Sequence, residues 1–209
     1  MSKPEQPAAG AGTEGASTLH AERSEADGGG VSKPEQPAAG AGVDELVRVV
    51  LDEAELKYER RGAGRYFVTL PGTKKLQTNC WLIATEHAFV VEAFVCRRPD
   101  EAHEDVYRYL LRRNAKLYGV HYTIDQVGDI YLVGRLALES VTRAELDRLL
   151  GQVLEAADGD FNTLLEIGFA GSIKREWDWR VSRGESLANL QAFKHLIEPE
   201  HGHTPLTES

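Results

Sequence analysis

Histidine, cysteine, serine and acidic side chains are where acid–base, metal or nucleophilic chemistry would begin, and in this chain their spacing leaves them without partners. His87 falls in an expected hairpin turn, His103 in the first turn of a helix and His121 on a strand, while His195, His201 and His203 lie near the C-terminus. None has the spacing of a metal-ligand set or a nucleophile–base pair. His201-Gly202-His203 offers at most a weak chelate on a polar tail. Asp158-Gly159-Asp160 opens like a calcium loop but lacks the continuing D-x-D-G spacing and the late bidentate Glu, so it reads as a helix break with an N-cap. Gly62-Ala63-Gly64 lacks a third glycine and runs into a strand rather than a helix, which argues against a phosphate cradle. No serine sits in a G-x-S-x-G turn. Cys80 and Cys96, the only cysteines, fall on adjacent expected strands without a CxxC motif and read as free, buried thiols. The expectation is therefore a chain with no catalytic residues, no metal and no cofactor, and not an enzyme.

Binding chemistry has more to work with. Trp177-Asp178-Trp179 is flanked by Lys174-Arg175 and by Arg180, and aromatic and arginine side chains are favoured at interfaces because each joins a large apolar body to a polar tip. The competing reading places Trp177 over the core beneath the last helices, with Trp179 shielding it. Trp81 lies on a strand beside Tyr66 and Phe67, and alternate strand positions must face away from any covering helices. An apolar second face would be a docking surface, and core packing is the alternative. The candidate binding surface is thus Tyr66, Trp81, Trp177, Trp179 and Arg180. With 33 acidic against 24 basic residues the net charge is −9, which argues against nucleic acid as the main partner. The cluster Arg108, Arg112, Arg113 and Lys116 reads as a solvated helix face. No apolar run approaches the ~20 residues that cross a bilayer, and the N-terminus has no signal-like apolar stretch, so a cytoplasmic protein without membrane contact is expected.

The elements that would position these residues follow from periodicity. Residues 1–42 are rich in Ala, Gly, Pro, Glu and Ser and repeat SKPEQPAAGAG at 2–12 and 32–42. Such a segment cannot bury enough apolar area to offset its ordering entropy, so a disordered tail is expected. A folded domain spans 43–197, and 198–209 forms a polar C-terminal tail. Asp44 is placed to cap a first helix with Leu46, Val47, Val50 and Leu51 on one face. Strands are expected at Tyr58–Arg61, Tyr66–Leu70, Cys80–Thr85 and Phe89–Cys96, the last two paired about Glu86-His87. A helix then starts at or shortly after Asp100, buries Val106, Leu110, Leu111 and Leu117, and ends at Gly119. Val120–Ile124 and Ile130–Val133 form a second hairpin turning near Gly128-Asp129. Thr142-Arg143-Ala144-Glu145 matches a capping box for a helix with Leu146, Leu149, Leu150 and Val153 inward. A further helix starts near Phe161, and Ser186 caps a last short one.

Four strings together resemble YbjN-domain proteins: RGAGRYFVTLPG at 61–72, FVCRRPD at 94–100, FNTLLEIGF at 161–169 and REWDWR at 175–180. The similarity runs from about Val43 to Leu196. It implies an α+β fold similar to the small type III secretion chaperones, an antiparallel sheet packed by helices, here with extra C-terminal helices from about Phe161. It also implies a homodimer that holds an extended segment of a client without hydrolysing ATP. The family supplies no catalytic residues to carry over. The expected function is a non-enzymatic, chaperone-like module that binds a protein or peptide client. The alternative is a regulator that senses a small ligand and acts through a partner. A chaperone needs an exposed apolar strip or an open strand edge, whereas a sensor needs an enclosed pocket.

Overall fold

The computed structural model describes residues 39–197. The tails expected over 1–42, up to residue 38, and from 198 onward lie outside the described residues. Helix α1 (Ala39–Glu53) leads into β1 (Lys57–Gly62), β2 (Arg65–Pro71), β3 (Gln77–Ala84) and β4 (Phe89–Cys96). Helix α2 (His103–Asn114), β5 (His121–Ile124) and β6 (Ile130–Leu136) follow, then α3 (Arg143–Gly159), α4 (Phe161–Arg183) and a 3-10 helix over Ala188–Leu196. The sheet runs β1-β2-β3-β4-β6-β5 and every neighbouring pair is antiparallel. This is the α+β architecture expected, an antiparallel sheet packed by helices.

Alternation along the strands decides which face is sealed. Tyr66, Val68 and Leu70 of β2, Cys80 and Leu82 of β3, Val91 and Ala93 of β4, and Ile130 and Leu132 of β6 are buried. They share one core with Val47, Val50 and Leu51 of α1 and with Leu146, Leu149 and Val153 of α3. Burying each large side chain contributes about 1.5–3 kcal/mol relative to exposure. The helical spacing of the α1 and α3 apolar residues and the two-residue spacing on the strands therefore point at the same surface.

Several local expectations shift, each because a tertiary bond competes for the residue. Asp44 does not begin α1; it lies within it, and its carboxylate faces the sheet. There it accepts from the Tyr66 hydroxyl at 2.6 Å, Arg60 at 2.5 Å and the Gly64 amide at 3.1 Å. Asp100 and Glu101 are not in α2. Their amides donate to the Gly168 carbonyl, which draws them to α4, and α2 starts at His103. α2 also ends at Asn114, ahead of Gly119, and Leu111 is 70% exposed because it lies a third of a turn round from buried Leu110. The Thr142 hydroxyl caps α3 by accepting from the Glu145 amide at 3.2 Å. Glu145 itself turns to the Tyr118 hydroxyl and Arg148 rather than back to the cap. Helix α4 kinks at Phe169 (φ −142°), where the Gly168 carbonyl has turned to Asp100 and Glu101. A side chain at Gly168 would meet Pro99 Cβ at 2.9 Å, so glycine is what permits that approach. The Glu101 carboxylate then accepts from the Gly171 amide at 2.6 Å and serves as a cap for the second half of α4. The final helix is 3-10, with the Ser186 hydroxyl accepting from the Ala188 amide.

Candidate functional site

The sheet residues that alternate with the buried set lie on the face opposite the core. Direct cross-strand pairing puts Glu59, Phe67, Trp81, Glu92 and Val133 in one row across five strands. Arg65, Ile83, Val90 and Arg135 form the next row, and Phe94 stands opposite Tyr131. Two aromatic pairs anchor this face edge-to-face: Phe67 with Trp81 at 5.0 Å between ring centres, and Phe94 with Tyr131 at 5.5 Å. Such pairs add about 0.5–1.5 kcal/mol beyond burial and hold the rings in place. Phe67, Trp81, Val90, Tyr131 and Val133 are half-buried among one another, and Phe94 is exposed. Glu92 sits amid this strip. Burial raises its carboxyl above the usual range, and Arg135 only partly opposes the shift.

The two ends of the sheet differ. At β5 the Asn114 side chain takes the place of a neighbouring strand: its oxygen accepts from the Tyr122 amide at 2.7 Å and its nitrogen donates to the Tyr122 carbonyl at 3.2 Å. That closes the centre of a four-residue edge strand. The other edge is β1, with Tyr58 turned to the core side, where its ring meets Tyr66 at 5.7 Å. Glu59 of β1 stands beside Phe67 and Trp81. Among the described residues no strand pairs with the outer side of β1, and this edge runs alongside the more aromatic end of the outer face.

The residues singled out from sequence separate into three groups. Trp81 is on the outer face. Tyr66 is not a surface residue: it is 1% exposed on the core side, its hydroxyl bound to Asp44, and burial pushes that hydroxyl up to about 12. Its position, one residue from Phe67, sends it to the opposite face. Trp177, Trp179 and Arg180 lie on the second half of α4. Trp177 is half-buried, and Trp179 is 44% exposed with Arg183 stacked on it at 4.9 Å. Arg180 is engaged within its own segment, donating to Glu176 at 2.7 Å and to the Ser186 carbonyl at 2.9 Å, which fixes the end of α4. Sequence reasoning missed Asn114, Phe94, Tyr131 and Val133. The alternation in Phe89–Cys96 is a signal for Phe94, but nothing in the sequence distinguishes Asn114 from any other helix-terminal asparagine.

Asp158-Gly159-Asp160 breaks the helix as expected, yet neither aspartate caps α4 through its side chain. Asp160 is buried and accepts from the Tyr109 and Tyr122 hydroxyls at 2.7 and 2.8 Å and from Arg113 at 2.6 Å, tying α2 and β5 to the α3–α4 corner. Both cysteines are free and buried, and burial raises the Cys80 thiol to about 12 and Cys96 to about 11, which keeps both protonated. Among the described residues no group of three or more His, Cys, Asp or Glu side chains converges as a metal site, and no helix is long and apolar enough to cross a membrane.

Comparison with known proteins places this arrangement. Residues 44–166 match the model of the YbjN family, described as "Putative bacterial sensory transduction regulator". An uncharacterized protein of Mycobacterium leprae is 64% identical over 139 residues, 66% of this chain and 76% of the relative. The crystal structure of YbjN from E. coli is similar over 56% of this chain and 86% of that one, at 15% identity and a TM-score of 0.43. The type III secretion chaperone SycH of Yersinia pestis, solved with a fragment of YscM2, is similar over 55% of this chain and 96% of that one, at 18% identity and a TM-score of 0.43. With more than half of its length inside the family model and a relative that it covers by three-quarters, the chain belongs to the YbjN family.

Proposed function

We propose that this protein is a peptide-binding, chaperone-like module that receives an extended segment of a client protein along β1. Added to that edge, the segment would form main-chain hydrogen bonds with β1 and present alternate side chains to the outer face beside Phe67 and Trp81. One observation carries this reading: the sheet has two edges, and Asn114 closes one while β1 borders the aromatic strip. A segment with alternating apolar residues fits such a strip, because period-two spacing puts them all on one side.

The test is selection of peptides from a random display library against the full chain, followed by hydrogen exchange on the complex. Enriched peptides should carry alternating apolar residues and slow exchange at amides within 57–62. Trp81→Ala should weaken them by about tenfold or more at a temperature where its melting curve, lowered by loss of the Phe67 pair but still cooperative, shows the chain folded. Peptides that protect α2 or α4 and leave β1 unchanged would sink the assignment.

A further inference from the structure

The C-terminal end of β4, the loop before β3 and helix α4 line an open cavity of about 380 Å³, with Lys75, Phe94, Phe161, Leu165, Phe169 and Leu190 in its walls. That volume lies within the range of small-ligand sites. Two features shape it. The kink in α4 sets Phe169 into the wall. The loop carrying Lys75 is anchored by Asp158, whose carboxylate accepts from the Thr73, Lys74 and Lys75 amides at 2.8, 2.7 and 2.8 Å and from the Thr73 hydroxyl at 2.8 Å. The lysine is therefore held in position at its backbone.

The charges around the cavity are compensated with one exception. Arg97 binds Asp100 through both terminal nitrogens, at 2.5 and 2.8 Å, and lies over the Phe169 ring at 4.6 Å. Glu176 pairs with Arg180 at 2.7 Å. The Cys96 thiol is raised and neutral. Lys75 donates to the Phe94 carbonyl and lies 5.4 and 6.0 Å from the centres of the Phe94 and Phe161 rings, but no carboxylate among the described residues forms an ion pair with it. Burial accordingly lowers its ammonium to about 8, with Asp158 opposing the shift. A half-buried ammonium without a counter-charge is costly, and an anion reaching it regains that cost.

We propose that this cavity binds a small amphipathic carboxylate, a medium-length acyl chain whose head pairs with Lys75 and whose body lies against Phe161, Leu165, Phe169 and Leu190. The one ammonium on the cavity wall without a carboxylate partner among the described residues matches a single negative charge, and the aromatic and aliphatic walls match a hydrocarbon body. A cationic head would meet repulsion. A neutral one would forgo the charge-assisted bond.

Calorimetric titration of the full chain with octanoate, octanol and octylamine tests this. Octanoate should bind at least about tenfold more tightly than octanol, as expected for a charge-assisted contact, and octylamine should not bind. Methyl resonances of Leu165 and Leu190 should shift on adding octanoate. Lys75→Met should erase the preference, so that octanoate and octanol bind alike, and Lys75→Arg should retain it. Lys75→Met leaves the Asp158–backbone contacts in place, so its melting curve checks the fold, with Lys75→Gln as the second variant. Equal binding of octanoate and octanol by the natural chain, undiminished octanoate binding by folded Lys75→Met or Lys75→Gln, or shifts confined to other methyls would overturn the proposal.

Discussion

A carboxylate acts through the groups that donate to it, and Asp158 and Asp160, only two residues apart, are used in opposite directions. Asp158 faces outward and organises the loop that bears Lys75. Asp160 faces inward and satisfies two tyrosines and an arginine. Removing the inner acceptor leaves Arg113 with Glu155 as its one carboxylate partner among the described residues, returns the Tyr122 hydroxyl to the Ala156 carbonyl, and takes the Asp160 acceptor from the Tyr109 hydroxyl. Asp160→Ala should therefore cost about 1–3 kcal/mol, read as a lower urea midpoint at unchanged slope. Acid stability follows from three other aspartates. Arg97 and Ser172 hold Asp100 well below the usual carboxylate range. At Asp44 and Asp158 burial raises the carboxyl, but Tyr66 and Arg60 at the first, and loop amides and Thr73 at the second, outweigh it. All three are lower folded than unfolded, where aspartate titrates near about 3.9. Their stabilisation is complete above that value and is lost as pH falls through the folded values. Glu92, raised by burial, works the other way. Urea midpoints should hold from neutrality to about pH 5 and fall below about pH 4, and Asp158→Asn should show a smaller acid loss.

At the scale of elements, the edges decide how the sheet meets other chains. β1 is dense in charge, with Lys57, Glu59, Arg60 and Arg61, a composition that discourages indiscriminate edge pairing while leaving the backbone available to a matching strand. The short β5 is instead closed by the Asn114 carboxamide. Asn114→Ala should speed hydrogen exchange at the Tyr122 amide and promote concentration-dependent association, seen by light scattering, whereas Asn114→Asp retains only the acceptor half of the closure. Unchanged exchange at Tyr122 would show that the carboxamide is not what closes this edge. The same logic explains α4. Its kink is the consequence of a carbonyl diverted to Asp100 and Glu101, and it delivers Phe169 to the cavity.

At the scale of the molecule, the proposed peptide site and the proposed acyl site centre on different residues: Phe67 and Trp81 beside β1, and Lys75 and the α4 side chains at the end of β4, where Phe94 of the outer face joins the wall. Trp81 and Lys75 share no hydrogen-bond or ring partner among the described residues, so substitutions at the two should behave additively. Trp81→Ala should reduce binding of selected peptides and leave octanoate affinity within about twofold, and Lys75→Met should do the reverse. A peptide affinity that changes with octanoate would mean that the two are coupled, with the same factor acting in both directions. Titrating each ligand in the presence of the other measures it.

Sequence alone determined the kinds of element and their order. The two-residue alternation of the strands and the helical spacing of α1 and α3 are local patterns, set by where successive side chains must point. The hairpin about Glu86-His87, the break at Asp158-Gly159-Asp160 and the Thr142 cap were legible for the same reason. What only the tertiary structure decided is where long-range partners overrode those patterns. Asp44 turned from the expected cap position to the Tyr66 hydroxyl, Asn114 closed a strand whose sequence does not name it, and Asp158 reached back to 73–75 to set Lys75 at a cavity wall. Each of these bonds joins residues brought together only by folding, so local periodicity carries no trace of it.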